Sequence, residues 1–447
     1  MKQLPQWLQG LKNPLFARLY LAQTINLVGD SLTWVGLALL AFELAGAQAG
    51  TVLAGALTLR VTAFVVLAPI AGSFADRVDR KRLMVTTHLA RMIIVCLLPF
   101  VTQIWQIYAI ILLLNVFYAF FAPTYTATIP LVTTEAERSQ AIALSSATYQ
   151  LLGVLGPGLA GSVAAFVGTR QVFFLDAITF LLATILIVTL PGQLMVNQHQ
   201  QTAKTVNRTL EDIRMGTVCL FADPLIRYAL ILQLVAAIAG AEILVNTVGY
   251  VQGVLHFGKI EYGWVMAAFG IGATLASVGL GNFQQRVSPM LWTSIGAVLI
   301  TLALLPANSV NLGGLLVLWA IAGIGETLVN LPTQTLIADR VDVEVQGRVY
   351  GAHFAWSHLW WALAYPLAGW MGSNLPAQNF FYTSLIGTGL LVVVYIAFKP
   401  RHLTDLQAGL WHEHDHSYDE EHLHKHSPHL TAQSPHYHLH FHPVTPQ

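Results

Sequence analysis

Residues 72–82 read Gly-Ser-Phe-Ala-Asp-Arg-Val-Asp-Arg-Lys-Arg, a charged island between apolar runs at 49–74 and 83–104. A weaker copy, Gly281-x-x-x-Gln285-Arg286, lies 209 residues further on, between apolar runs at 262–283 and 289–306. Arg18 and Arg227 each open an apolar run at the same offset, and Pro123-Thr124-x-Thr126 returns as Pro332-Thr333-x-Thr335. Leu159-Ala160-Gly161 returns as Leu367-Ala368-Gly369, 208 residues on. The chain therefore reads as one unit written twice in the same orientation.

Twelve apolar runs build the two units, roughly 17–43, 49–74, 83–104, 106–129, 139–166, 170–190, 227–251, 262–283, 289–306, 313–336, 348–371 and 378–398. Each is about the length a helix needs to cross ~30 Å of hydrocarbon. With 55% hydrophobic and 10% charged residues and a mean hydropathy of +0.60, the composition excludes a soluble protein. The expected fold is an all-α membrane protein of twelve transmembrane helices in two pseudo-symmetric six-helix bundles. Its parts are an N-terminal bundle (1–190), a cytoplasmic linker (191–226), a C-terminal bundle (227–399) and a tail (400–447). Two parallel halves of this kind suit a transporter that rocks around a site at their interface near the midplane. No cleavable signal peptide is expected. Trp7, Leu8, Leu11 and Leu15 suggest a helix lying on the membrane surface within residues 1–16. Cys96 and Cys219 are too few and too far apart for a disulfide framework.

Lysine and arginine gather at one set of loops and ends, from Lys2 and Arg18 through 77–82, Arg138, Lys204 and Arg348 to Lys425, whereas the opposite set holds only Arg170 and Lys259. The positive-inside rule then puts both termini in the cytoplasm of a plasma-membrane, multi-pass protein. The formal net charge is zero and no nucleic-acid partner is expected. No GxxxxGK[ST] loop is present, so ATP is not an expected partner either.

The loop at 72–82 resembles the G-x-x-x-D-R-x-G-R-R motif of the major facilitator superfamily, and the resemblance spans residues 1–400. It departs at Asp79, where the family has glycine. Gly156-Pro157-Gly158-Leu159-Ala160-Gly161 is similar to the G-P-x-x-G-G antiporter motif of the same superfamily. The fourth span, Leu112 to Phe121, lacks the arginine that many drug antiporters keep there. The resemblance implies that Gly72, Asp76, Arg77, Arg80, Lys81 and Arg82 gate the cytoplasmic side. It also implies that the first, fourth, seventh and tenth spans line a central cavity. With its tail, the chain is similar to nickel-resistance exporters of the NrsD/NreB type.

Charged groups within the bilayer are costly, about 2.5–3.5 kcal/mol on insertion scales, and so are functional candidates. Asp30, Glu242 and Glu326 sit in the first, seventh and tenth spans. Gln23, Asn26 and Asp30 form one polar stripe, and Glu242/Asn246 and Glu326/Asn330 each put a carboxylate and an amide one turn apart. All three acids are expected to converge on the cavity as the substrate and proton pathway, with His358 as a possible nitrogen ligand. His353 is expected to be a packing or interfacial residue. His88 and Arg91 are expected to be structural, snorkelling toward the basic loop. Trp34, Tyr118, Phe121, Trp356, Trp360 and Trp361 would give the cavity aromatic walls.

The tail carries His412, His414, His416, His422, His424, His426, His429, His436, His438, His440 and His442, mostly as H-x-H runs with acids between. Neutral imidazoles are ligands for nickel, cobalt, zinc or copper. No resident cofactor is expected. A divalent metal ion, nickel first and then cobalt or zinc, is the expected cargo or tail ligand. The expected partners are the lipid bilayer, divalent metal ions and protons. The expected function is secondary export of that ion by proton antiport, conferring metal resistance, not enzymatic catalysis. The alternative is proton-coupled export of drugs or siderophore-like compounds by a protein with a metal-buffering tail.

Overall fold

In a computed structural model, the chain folds as thirteen α-helices and one small β-ribbon, described over residues 11–75, 78–190, 206–283, 288–341, 343–398, 409–415 and 437–443. The first half holds α1 (Pro14–Ala45), α2 (Ala49–Ala75), α3 (Arg80–Val95), α4 (Ile104–Val132), α5 (Glu135–Val167) and α6 (Val172–Val188). The second holds α8 (Pro224–Gly249), α9 (Lys259–Phe283), α10 (Pro289–Leu304), α11 (Leu312–Arg340), α12 (Val343–Asn374) and α13 (Asn379–Phe398). Eight stretches are long and apolar enough to cross a membrane, one of them, Pro14–Phe64, joining α1 to the start of α2; α6 is a shorter apolar helix. On α9, Ile271, Leu275 and Val278 recur every three or four residues and are each about 60% exposed, as a lipid-facing stripe should be.

The duplication is visible in the helix starts. Asn13 caps α1 and Asp223 caps α8, each through a side-chain oxygen that accepts two backbone N–H groups, and each is followed by proline at the first helical position. The Pro-Thr-x-Thr copies fall inside α4 and α11. There Thr124 and Thr333 each donate to the carbonyl four residues back, at 2.7 Å.

Between the halves lies α7 (Val206–Ala222), which packs against α12 and α8. The expected polar linker therefore contains a 17-residue helix. The tail also differs from expectation. Within the stretch expected only as a tail lies an antiparallel ribbon, β1 (Gly409–Asp415) with β2 (Tyr437–Pro443), and β1 lies against α11 and α12. The surface helix expected within residues 1–16 falls mostly outside the described residues, and α1 begins at Pro14.

The halves meet most closely along α5–α9 and α2–α12. A Cβ on Gly158 would sit 2.8 Å from both the Gly270 Cα and the Met266 carbonyl oxygen, so the antiporter-like stretch is where two backbones touch. On α2, Thr51 shares a 2.5 Å hydroxyl contact with Ser373 of α12. The Thr51–Ser373 contact lies toward the Gly46–Gln48 end, away from the charged loop at 72–82, and the Gly158 contact falls near the middle of α9. The conformation is thus closed at that end. One continuous core cluster takes in both halves, with Leu53 and Ala160 from the first and Met266 and Tyr365 from the second.

Candidate functional site

Two buried carboxylates in the second half are the first components. Glu242 on α8 accepts a 2.7 Å bond from Asn246 Nδ2, and Glu326 on α11 accepts one of 2.8 Å from Asn330 Nδ2. The one-turn spacing in sequence thus becomes a hydrogen bond in both places. Each glutamate leaves its buried Oε2 without a hydrogen-bond partner among the described residues. Asn246 also donates to the Ala368 carbonyl of α12 at 2.7 Å and sits against Gly50 of α2, which places the Glu242 pair at the closed junction of the halves.

The Glu326 pair continues inward through a chain of amides. Gln233 Nε2 donates to Asn330 Oδ1 at 3.1 Å, and His353 Nε2 donates to Gln233 Oε1 at 2.8 Å. That leaves His353 Nδ1 to accept from Gln334 Nε2 at 3.4 Å. His353 is therefore buried and wired to a carboxylate three side chains away, a link its packing role did not suggest. His358 donates from Nδ1 to its own Phe354 carbonyl at 2.8 Å and stacks on Phe354 and on Phe64 of α2. It stands at the interface of the halves.

In the first half the acid is already paired. Arg91 of α3 forms an ion pair with Asp30 of α1 through Nη2 and donates to Asn26 Oδ1 from Nη1 at 3.3 Å. Asn26 donates to the other Asp30 oxygen at 3.3 Å. Arg91 is 4% exposed, with its guanidinium over Phe180 and Tyr118. His88 is fully buried beside Phe121 and Phe180. The expectation that both snorkel toward the basic loop is corrected: they point into the bundle, where Asp30 supplies the charge that holds Arg91 there.

Asp30, Arg60, Arg91 and Asp176 border one cavity in this half, with Thr33, Trp34, Asn115 and Tyr118 among its walls. Arg60 of α2 stacks on Trp34 at 4.7 Å. Asp176, in the second turn of α6, was missed by the sequence reading, which singled out only Asp30, Glu242 and Glu326. The signal was available, since an acid inside Val-Phe-Phe-Leu-Asp-Ala-Ile-Thr-Phe carries the same insertion cost as the others.

The three expected acids do not gather into one cluster. Asp30 is held in the first half, and Glu242 and Glu326 turn to asparagines on their own helices. Among the described residues of the helical bundle no three His, Cys, Asp or Glu side chains sit close enough to hold a metal ion. The aromatic walls also differ from expectation. Trp356 donates to Thr217 of α7 and packs on Phe221, and Trp360 donates to the Leu230 carbonyl, so both fasten α12 to α7 and α8 and do not line the cavity. Trp361 stacks on Tyr365 near Glu326.

Of the gating loop, Gly72 lies within α2, and Asp76 and Arg77 fall outside the described residues. Arg80 donates to the Ala127 carbonyl and Lys81 to the Leu190 carbonyl, both at 2.5 Å, tying the start of α3 to the ends of α4 and α6. Asp79, the departure from the family pattern, caps α3 by accepting from the Lys81 amide at 2.9 Å and lies 3.7 Å from the exposed Arg82. Nearby, Asn13 bridges the Val132 carbonyl and Glu137 at the start of α5. The bonds from Asn13 and Thr134 hold the Glu137 carboxyl below its ordinary value. In the ribbon, Leu410 pairs with His442, His412 with His440, and His414 with His438. His416, His422, His424, His426, His429 and His436 lie outside the described residues.

The Major Facilitator Superfamily model matches residues 19–244 and 229–427. An uncharacterized MFS-type transporter of Bacillus subtilis, YfiS, is 28% identical over 76% of this chain and 84% of its own. The multidrug resistance protein MdtG of Proteus mirabilis is 23% identical over 75% and 82%. Among solved structures, a nucleoside transporter, NupG, superposes with a TM-score of 0.65 at 16% identity, covering 86% of this chain and 99% of the other. An inward-facing bacterial homolog of the human lysosomal transporter Spinster reaches 0.66 at 15%, covering 89% and 98%. With its doubled six-helix halves, this multi-pass membrane chain belongs to the major facilitator superfamily of transporters.

Proposed function

We propose that the protein exports a divalent transition metal ion, nickel in the first instance with cobalt or zinc as alternatives, in exchange for protons. The observation that carries the reading is the histidine register of the ribbon. Directly paired residues of an antiparallel ribbon share a face, so His412, His414, His438, His440 and His442 occupy one face of β1–β2. That density of imidazole suits a late first-row divalent ion. β1 lies against α11 and α12, the helices that carry Glu326 and His358. The tail, placed in the cytoplasm by the positive-inside rule, gathers the ion beside the bundle. Asp30, Glu242 with Asn246, Glu326 with Asn330, and His358 pass it between the halves. Carboxylates that bind metal only when deprotonated exchange the two cations without further machinery.

A second reading, export of drug-like organic compounds, is favoured by the multidrug resistance relatives and by Trp34, Tyr118, Trp361 and Tyr365 around the buried charges. The deciding experiment measures metal accumulation in cells with and without the protein across nickel, cobalt, zinc and copper. Lower accumulation of one or more ions in the expressing cells supports metal export. Equal accumulation of all four, with raised tolerance to organic cations, supports the second reading.

A further inference from the structure

Arg60 borders the cavity of the first half and has no part in the pathway above. It lies in α2, and its guanidinium stacks on Trp34 of α1 at 4.7 Å. Its titratable neighbours are Asp30, Tyr118 and Tyr149 from the first half and His358 and Tyr365 of α12 from the second, so it stands where the halves face each other. A guanidinium carries five N–H donors and no acceptor. Among the described residues, none of these donors makes a hydrogen bond or an ion pair. The two acids on the same walls are engaged elsewhere. Asp30 is gripped by Arg91 and accepts from Asn26 as well. Asp176 is 1% exposed, and its two oxygens accept from Thr33 Oγ1 at 2.5 Å and Thr179 Oγ1 at 3.0 Å. Asn115 spends its amide N–H on the Ile111 carbonyl of its own helix, at 2.7 Å. The walls thus offer Arg60 an aromatic face and no acceptor within hydrogen-bond reach.

A charge removed from water without a hydrogen-bonded counter-charge is costly, and an anionic group brought in from outside recovers that cost. The same charge repels a bare divalent cation. Stacking on Trp34 fixes the plane of the guanidinium and leaves its edge as a donor fork, which matches a planar carboxylate through two parallel N–H···O bonds. The cavity is small, with Ile111, Leu114 and Phe180 also on its walls, so it takes one such group and not a whole organic molecule. We infer that Arg60, held on Trp34, is a subsite for a carboxylate group carried by the cargo. Nickel then travels as a complex with a small polycarboxylate, whose spare carboxylate docks on Arg60; a metal-free organic carboxylate would use the same fork. The subsite follows from Arg60 itself, and only the metal complex as carrier rests on the metal-export reading.

Titration calorimetry on the full chain in lipid nanodiscs, with citrate and with benzoate as probes, reads the subsite without metal. Both should bind, and Arg60→Gln should weaken both by roughly 10–100-fold, the loss expected for hydrogen bonds to a charged group. Arg60→Lys keeps the charge but not the fork, and should weaken them less. No binding of either probe to the wild type, or unchanged affinity in Arg60→Gln, overturns the proposal. Should the glutamine variant fail to fold, wild-type affinity in Arg60→Lys overturns it instead. A parallel assay follows Ni²⁺ uptake by inside-out vesicles with and without citrate. Uptake that citrate accelerates in the wild type and not in Arg60→Gln identifies the metal complex as the carrier. Uptake indifferent to citrate, with Arg60-dependent carboxylate binding, assigns the subsite to a metal-free carboxylate. If the carboxylates bind through Arg60 and no Ni²⁺ moves under either condition, the metal reading fails and the subsite stands. If Ni²⁺ moves and neither carboxylate binds, the subsite fails and the metal reading stands.

Discussion

Gly158→Ala tests how the halves close. The added methyl would lie 2.8 Å from the Gly270 Cα and from the Met266 carbonyl oxygen, and both obstacles are backbone of α9. Neither can rotate away as a side-chain tip could, so α5 and α9 must separate. Overpacking of this kind costs about 1–3 kcal/mol. The cost falls on the conformation in which the two backbones touch, so the equilibrium shifts away from it by roughly 5–150-fold. The assay pairs Thr51→Cys with Ser373→Cys across α2 and α12, where the native hydroxyls meet at 2.5 Å, in a background lacking Cys96 and Cys219. Disulfide formation should be fast in that background and fall sharply when Gly158→Ala is added. Unchanged crosslinking in a folded protein would refute the claim that α5–α9 contact holds this end shut.

Three further outcomes are expected. Glu326→Gln and Glu242→Gln keep shape and hydrogen bonding but cannot exchange protons, so each should fold in the membrane and lose gradient-driven export; wild-type export rates in vesicles would make both acids structural. Removing residues 402–447 should raise the cytosolic metal concentration needed for half-maximal export more than it lowers the maximal rate, because clustered weak sites raise the local concentration; resistance unchanged at every concentration would make the tail incidental. Glu137 is held below its ordinary value of 4.5, so its stabilisation is complete above that value and is lost as the pH falls through the lower folded value. Thermal melting in detergent should show this acid-side loss in the wild type and not in Glu137→Gln, and identical pH profiles would exclude the Asn13–Glu137 bond as a contributor.

The spans were legible because apolar length is written locally. The run expected at 106–129 became α4 at 104–132, and that at 289–306 became α10 at 289–304. The Glu242–Asn246 and Glu326–Asn330 pairs were legible for the same reason, since both partners lie one turn apart on one helix. What stayed hidden depends on distant partners. Arg91 reads as a snorkelling residue until Asp30, 61 positions away, is seen to hold it inside, and Asp176 finds Thr33 across 143 positions. Trp356 and Trp360 looked like cavity walls because α7, to which Trp356 is bonded, was read as part of a polar linker. The ribbon was equally invisible, because H-x-H alternation in β1 gives no sign of its pairing with residues 437–443.

The central claim is the exchange of a divalent metal ion for protons through this bundle. Its most direct test is purified full-length protein in liposomes, with Ni²⁺ flux and proton flux recorded together under an imposed pH gradient. The account predicts that Ni²⁺ moves against its own gradient while protons move the opposite way, and that both fluxes vanish in Glu326→Gln. Proton flux that never depends on Ni²⁺, cobalt or zinc, in a preparation that does couple protons to an organic cation, would contradict it.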